Sequence, residues 1–212
     1  MTPGKFITLE GGEGAGKSTQ ARLLADALQN RGIRVVSTRE PGGTPGAEAI
    51  RGLLLDTAGE GWNLRAESLL FAAARSDHLE KLIGPALDAG KWVVCDRFLD
   101  SSRAYQGGGG GLPDADITAL HQIGSAGILP DMTLLIEVSP DVAAQRLLKR
   151  DGDKADRIGG RGNAYHSNVA KAFSDLAAAE PNRFRRIDGN GTAEQTHAMV
   201  LSAVAHLLDK AP

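Results

Sequence analysis

A glycine-rich turn near the N-terminus constrains this chain more than any other feature. Residues Gly11-Gly12-Glu13-Gly14-Ala15-Gly16-Lys17-Ser18 fit G-x-x-x-x-G-K-[ST] at every fixed position. Such a match carries chemistry only between a strand and a helix. Both neighbours are legible. Lys5–Glu10 (KFITLE) is a short apolar run that reads as a buried strand, and Leu23, Leu24, Ala27 and Leu28 recur at helical spacing between Lys17 and Asn30. Gly32 closes that helix. Glycines let the backbone wrap closely around oxygens with its N–H groups inward, and the helix start adds about half a positive charge. The segment 11–19, ending in Thr19, is therefore expected to cradle the phosphates of a nucleoside triphosphate. Lys17 would reach the β- and γ-phosphates, and the Ser18 hydroxyl would hold Mg²⁺. Taken alone, the loop does not separate a kinase from a GTPase or an ATPase motor.

Further strands are expected at Ile33–Ser37, Lys91–Asp96 and Asp131–Val138, with Arg183–Asp188 as a fifth. Helical patterns cover 47–56, 64–82, 84–89, Pro113–Ala126, Ser139 or Pro140 to Arg150, Tyr165–Ala179 and Thr192–Leu208. Strands alternating with helices give a parallel α/β sheet covered on both faces. The stretch 39–46 (REPGGTPG) reads as a loop, and the five consecutive glycines Gly107–Gly111 read as unable to form a stable helix. No linker divides the 212 residues, so one domain is expected, and the polar, glycine-rich stretch 151–163 reads as a lid.

Composition narrows the function classes. A single cysteine, Cys95, forbids an intramolecular disulfide and a multi-cysteine zinc site. It sits in an apolar strand and reads as an inert buried thiol. The five histidines show no metal-ligand spacing, and His78 reads as structural. A net charge of −2 does not point to nucleic acid. The start has no charged head followed by an apolar signal core, and no apolar run approaches the ~18 residues of a membrane span. A soluble, cytoplasmic protein without membrane contact is expected.

Five blocks identify what lies opposite the phosphate loop: GGEGAGKST (11–19), TREPGGT (38–44), LLFAAARSDH (69–78), DRFLDSSRAYQG (96–107) and DRIGGRGNAYH (156–166). In these blocks and this order the chain resembles the bacterial thymidylate kinases, within the P-loop nucleoside monophosphate kinases. The resemblance implies a five-stranded parallel sheet with helices on both faces and a short lid. It also implies transfer of the γ-phosphoryl of ATP to dTMP, giving ADP and dTDP for dTTP synthesis. Mg²⁺ and a homodimer come with it.

The residues themselves suit that chemistry. Asp96-Arg97 ends an apolar strand, where an α/β sheet places ligands. A carboxylate there can hold Mg²⁺, and a guanidinium can grip phosphate with paired hydrogen bonds. Phe71 and Arg75 share a helical face at i and i+4, so a ring can stack on a base while the arginine bonds its edge. By resemblance, Arg97 contacts the dTMP phosphate and the transferring group, and Ser102 contacts the base. Tyr105 packs against the sugar where a 2′-hydroxyl would lie, and Gln106 orients the tyrosine or the nucleotide. Glu13 meets the 3′-hydroxyl, and Arg39 lines the phosphate side beside Glu40–Pro41, a bond that can take the cis form. Arg146 stacks on adenine, while Arg150 and Arg157 approach the phosphates. The chain departs from the pattern at Gly159, where relatives commonly carry glutamate, and at Ala170, where an arginine is common. That leaves Arg161 between a phosphate contact and a solvated face. Asp100 is read as a helix cap, and Arg183, Arg185 and Arg186 as a solvated strand face.

Two other readings remain beside this one. A kinase for another nucleotide would need different base contacts from Phe71, Arg75 and Tyr105. A P-loop protein that only binds and signals is opposed by the absence of an N-K-x-D base motif in the sequence.

Overall fold

The computed structural model describes residues 4–151 and 156–208, without the side chains of Arg150 and Asp151. Five strands, β1 (Phe6–Glu10), β2 (Val35–Arg39), β3 (Trp92–Asp96), β4 (Met132–Glu137) and β5 (Phe184–Asp188), form one parallel sheet in the order β2-β3-β1-β4-β5. From β1 the chain crosses one way to β2 and β3, then the other way to β4 and β5. The crevice of such a sheet opens at the carboxyl end of the strand where direction reverses. Here that strand is β1, and the phosphate loop follows it.

Alternation along β1 feeds both layers. Ile7 and Leu9 pack with Leu24 and Leu28 of α1 (Lys17–Gln29) and with Val200 and Val204 of the C-terminal helix. Phe6 points the other way, to Ile83, Val93, Phe98 and Ile117. The remaining helices are α2 (Pro45–Leu55), α3 (Leu64–His78), α4 (Gly84–Asp88), α5 (Leu99–Ser102), α6 (Asp114–Ser125), α7 (Pro140–Asp151), α8 (Asn163–Ala179) and α9 (Ala193–Leu208). Among the described residues, no helix is long and apolar enough to cross a membrane.

Several expectations shift. The second strand lies two residues later than 33–37, because the Ile33 N–H is taken by Leu28 at the end of α1 and Arg39 pairs in register with Asp96. The helical stretches 64–82 and 84–89 are one continuous run, joined through a π-helical turn at Leu79–Ile83. Pro85 has no N–H to give the preceding turn, and a widened turn accommodates that gap.

The glycine run is the clearest correction. Arg103–Gly109 is π-helical rather than irregular. Packing against α8 overrides the low helix propensity of glycine. A Cβ on Gly108 would stand 2.3 Å from the Ala172 Cβ, and one on Gly109 2.6 Å from the Tyr165 ring. These glycines are small so that two helices can touch. Gly108→Ala should therefore cost about 1–3 kcal/mol through overpacking, although alanine is the better helix former. Urea unfolding of the two proteins measures it; a stabilised variant would mean the close approach is not needed.

Asp100 does not cap a helix. It is fully buried within α5 and accepts from Arg183 Nη2 at 2.9 Å, with Arg103 and Thr133 as further partners. Arg183 is correspondingly not solvated: its side chain is 10% exposed and also pairs with Glu180. Arg186 does lie at the surface, paired with Glu137. A buried carboxylate needs such partners to remain charged. The expected lid falls partly on residues 152–155, which lie outside the described residues.

Candidate active site

The glycine-rich loop runs from the end of β1 into the start of α1, the setting its sequence predicts. Gly11 takes a φ of 139°, and a Cβ there would stand 2.3 Å from the Ile136 carbonyl, so the loop can leave β1 this close to β4 only with glycine. Gly16, at a φ of 92°, precedes the first turn of α1. Lys17 is buried, and its Nζ donates to the Gly12 carbonyl at 2.7 Å. Burial, aided by the nearby Arg97 charge, lowers its pKa from 10.5 to about 8.

That shift has two consequences. The folded chain holds this proton less tightly than the unfolded one, so Lys17 makes stability rise with pH between about 8 and 10.5. A bound polyphosphate would restore the proton. ATP binding at pH 8 should then take up about half a proton per site, and about a tenth at pH 7, from Lys17 alone. Calorimetry in two buffers of different ionisation enthalpy reads this directly. Uptake that does not grow between pH 7 and 8 would mean that Lys17 is already fully charged.

Asp96 ends β3 facing the loop. One carboxylate oxygen accepts from the Ser18 hydroxyl, and the other, Oδ1, is buried with no hydrogen-bond partner among the described residues. An orphaned carboxylate oxygen beside a hydroxyl suits a hard divalent cation. Among the described residues, no group of three or more histidine, cysteine or acidic side chains is placed to hold a metal ion by itself. A cation here would complete its shell with phosphate oxygens and water.

Arg97 has a left-handed backbone, with a φ of 70°. A non-glycine residue holds that conformation only when its surroundings impose it. Glu10, the last residue of β1, supplies much of the restraint. It accepts from the Phe98 N–H at 2.8 Å, the Ser101 N–H at 3.2 Å and the Ser101 hydroxyl at 2.6 Å. Burial, reinforced by the charge of Asp100 and opposed by Ser101, Arg97 and the Phe98 N–H, pushes the Glu10 pKa up to about 7. The turn throws the Arg97 side chain back across the loop. Nη1 donates to the Gly11 carbonyl at 3.2 Å, and Nη2 to Glu13 and to the Tyr105 hydroxyl at 3.1 Å. The guanidinium carbon lies 4.9 Å from the centre of the Tyr105 ring. Burial works against its charge, but Tyr105, Glu13, Asp96 and Glu10 outweigh that and hold its proton above the ordinary arginine range.

The opposite wall is built around a buried ion pair. Arg75 Nε donates to Glu40 Oε2 at 2.7 Å, with both side chains 4% exposed. Arg75 Nη2 reaches Ser102 Oγ at 2.9 Å and the Phe98 carbonyl at 3.1 Å. His78 contacts the second Glu40 oxygen at 3.1 Å and Thr38 at 2.8 Å, the structural role expected of it. The Glu40–Pro41 peptide is cis.

Between these walls lies a cleft of about 250 Å³. Of the expected site residues, Glu13, Lys17, Ser18, Arg39, Phe71, Arg75, Asp96, Arg97, Ser102, Tyr105 and Gln106 all line it. Residues from four separate sequence blocks thus meet in one place. Gln106 bonds Glu67 at 2.9 Å, rather than the tyrosine beside it. Two of the expected arginines are not brought to the cleft. Arg146 lies behind the loop, donating to the Gly189 and Gly191 carbonyls at 2.8 and 3.0 Å and to Ala15 at 3.4 Å. Arg157 is held on the Asp56 and Ala58 carbonyls, each at 2.7 Å. The Arg150 side chain lies outside the described residues.

The sequence reading missed Glu10 and Arg51. Glu10 was signalled by an acidic residue closing an otherwise apolar strand just before the loop. Arg51 lines the cleft and donates to the Pro41 carbonyl at 2.7 Å. Its signal was weaker: a basic residue three positions after Glu48 on the helix that follows the 39–46 loop.

A phosphate cradle at the sheet's central strand, opening into a polar cleft walled by arginines, defines a P-loop α/β phosphotransferase. The thymidylate kinase family model matches residues 9–200. The chain is 57% identical to a thymidylate kinase of Rhizorhabdus wittichii over 97% of its own length and 99% of the relative's. It is 50% identical to one of Chromohalobacter salexigens, over 99% and 98% of the two chains. The crystal structure of thymidylate kinase from Ehrlichia chaffeensis superposes with a TM-score of 0.77 at 34% identity, covering 96% of this chain and 99% of that one. The chain belongs to the thymidylate kinase family.

Proposed function

We propose that this protein transfers the γ-phosphoryl of ATP to dTMP, giving ADP and dTDP for dTTP synthesis. The observation that carries the reading is the single cleft in which Lys17, Asp96 and Arg97 face Phe71, Arg75 and Tyr105. A phosphate oxygen of dTMP attacks Pγ, and the bond from Pγ to the β,γ-bridging oxygen breaks. The acceptor is already an ionised phosphate, so no general base is needed. Two anions must instead be held in line against their repulsion, which grows once water is excluded. Lys17 exchanges the Gly12 carbonyl for phosphate oxygens. Arg97 bridges donor and acceptor from its fixed turn.

Ser18 and Asp96 would hold Mg²⁺, which neutralises phosphate charge when bound. Glu13, Arg39, Phe71, Arg75, Ser102, Tyr105 and Gln106 are assigned to dTMP, and residues 11–19 with Arg146 to ATP. Phe71 stacks on thymine while Arg75, locked by Glu40, presents its guanidinium to the base edge. Arg157 and Arg150 are assigned to the phosphates as parts of a lid at 151–163 and the helix before it. Arg157 gets there by trading the Asp56 and Ala58 carbonyls for phosphate oxygens.

A homodimer is proposed through α3 and α6, which pack side by side and leave Leu69 56% and Ile123 84% exposed. Work in the cytoplasm, without nucleic acid or membrane partners, fits small charged substrates of this kind. The test is ADP release from ATP and Mg²⁺ with dTMP, dUMP, UMP, dGMP, dCMP, AMP or thymidine as acceptor. A strong preference for dTMP supports the reading. Equal release without any acceptor, or preference for another nucleotide, overturns it.

A further inference from the structure

Tyr105 and Gln106 sit on a segment poorly able to hold itself. The π-helical turn Arg103–Gly109 is followed by two more glycines, and such turns hold their shape mainly through their neighbours. The neighbours here converge on one arginine. Arg161 Nη1 donates to the Tyr165 hydroxyl at 2.8 Å, and that hydroxyl donates to the Tyr105 carbonyl at 2.9 Å. The Arg161 guanidinium carbon also lies 4.7 Å from the centre of the Tyr165 ring. Its Nη2 pairs with Glu67 Oε2, and the other Glu67 oxygen accepts from Gln106 Nε2 at 2.9 Å. Two chains of contacts thus leave one guanidinium and end on adjacent residues of the same turn.

The pairing is built rather than incidental. Glu67 is 2% exposed, and a carboxylate so buried requires a charged or multiply bonded partner. The planar fork of arginine can serve Glu67 and Tyr165 together, which a lysine ammonium cannot do with the same geometry. Nor is Arg161 aimed at the phosphate loop: both of its bonded nitrogens are turned to α3 and α8.

We propose that Arg161 is a positioning residue for sugar selectivity, acting through Tyr165 and Glu67 to fix Tyr105 and Gln106 against the acceptor nucleotide. The proposal rests on the dTMP kinase reading and deepens it. Arg161 then belongs functionally to the monophosphate pocket, although it sits in the polar stretch expected to act on ATP.

The experiment compares dTMP with ribothymidine 5′-monophosphate, which differs only by the 2′-hydroxyl. It measures kcat and KM for both, in the wild type, Arg161→Met, Arg161→Lys and the double variant Arg161→Met with Glu67→Gln. For Arg161→Met, KM for dTMP should rise and the preference for the deoxynucleotide should fall about tenfold, with kcat for dTMP within about threefold of wild type. Arg161→Lys should recover thermal stability by pairing with Glu67, yet recover selectivity only in part. The double variant removes the stranded carboxylate, so it should fold as stably as wild type and still discriminate poorly. An unchanged preference in that well-folded double variant overturns the proposal. So does a kcat loss of about a hundredfold at constant selectivity, which would place Arg161 on the phosphates. A wild type that turns over neither nucleotide overturns the dTMP reading itself, an outcome distinct from either.

Discussion

Lys17→Met should lower kcat by about 10³-fold or more while leaving the folded protein intact. Lys17 is buried against the Gly12 carbonyl, and its proton is already weakened to a pKa of about 8. Burial therefore opposes its charge in the free protein, and an apolar side chain of similar length costs little there. The loss should fall on kcat more than on KM for dTMP, because the ammonium acts on charge developing at the transferred group. Steady-state kinetics and a thermal melt separate the two effects. The proton uptake on ATP binding at pH 8 should disappear in the same variant. A variant retaining more than a tenth of wild-type kcat would remove Lys17 from the reaction.

Arg75→Leu should act in the opposite way, on folding first. It leaves the Glu40 carboxylate buried with His78 as its one remaining partner among the described residues, a situation that costs about 3–5 kcal/mol. Denaturant unfolding measures this. The double variant Arg75→Leu with Glu40→Gln removes the stranded charge and should regain most of the stability. It should not regain dTMP recognition, because the guanidinium assigned to the base edge is gone. In the double variant, KM for dTMP should stay raised by at least about tenfold, the worth of a lost charged hydrogen bond. Recovery of KM together with stability would show that Arg75 only supports the wall and does not touch the nucleotide.

These two residues illustrate different kinds of legibility. Lys17 could be assigned from eight consecutive positions, because a phosphate loop is local: its glycines, lysine and hydroxyl lie in one turn between one strand and one helix. Arg75 was legible as a member of its helical block, but its partner was not. Glu40 lies 35 positions away, and the pair exists only because β2 and α3 converge at the carboxyl edge of the sheet. Glu10 is inconspicuous in the sequence for the same reason. An acidic residue ending an apolar strand gains meaning only once the Phe98 and Ser101 N–H groups are seen to point at it.

The failures were tertiary too. Propensity reads Gly107–Gly111 as non-helical, yet contact with α8 makes helix of most of it. The basic neighbours of Arg183 suggest a solvated side chain, yet Asp100 draws it inward. The phosphate loop, the alternation of strands and helices, and the blocks that mark the family are all legible in the amino-acid order. Each is set by short-range periodicity or by groups close along the chain. Which distant charges pair, how Arg97 is held in its left-handed turn, and which way Arg157 and Arg161 face are settled by the folded chain. Those depend on the sheet order and on how closely helices approach, and no local pattern encodes either.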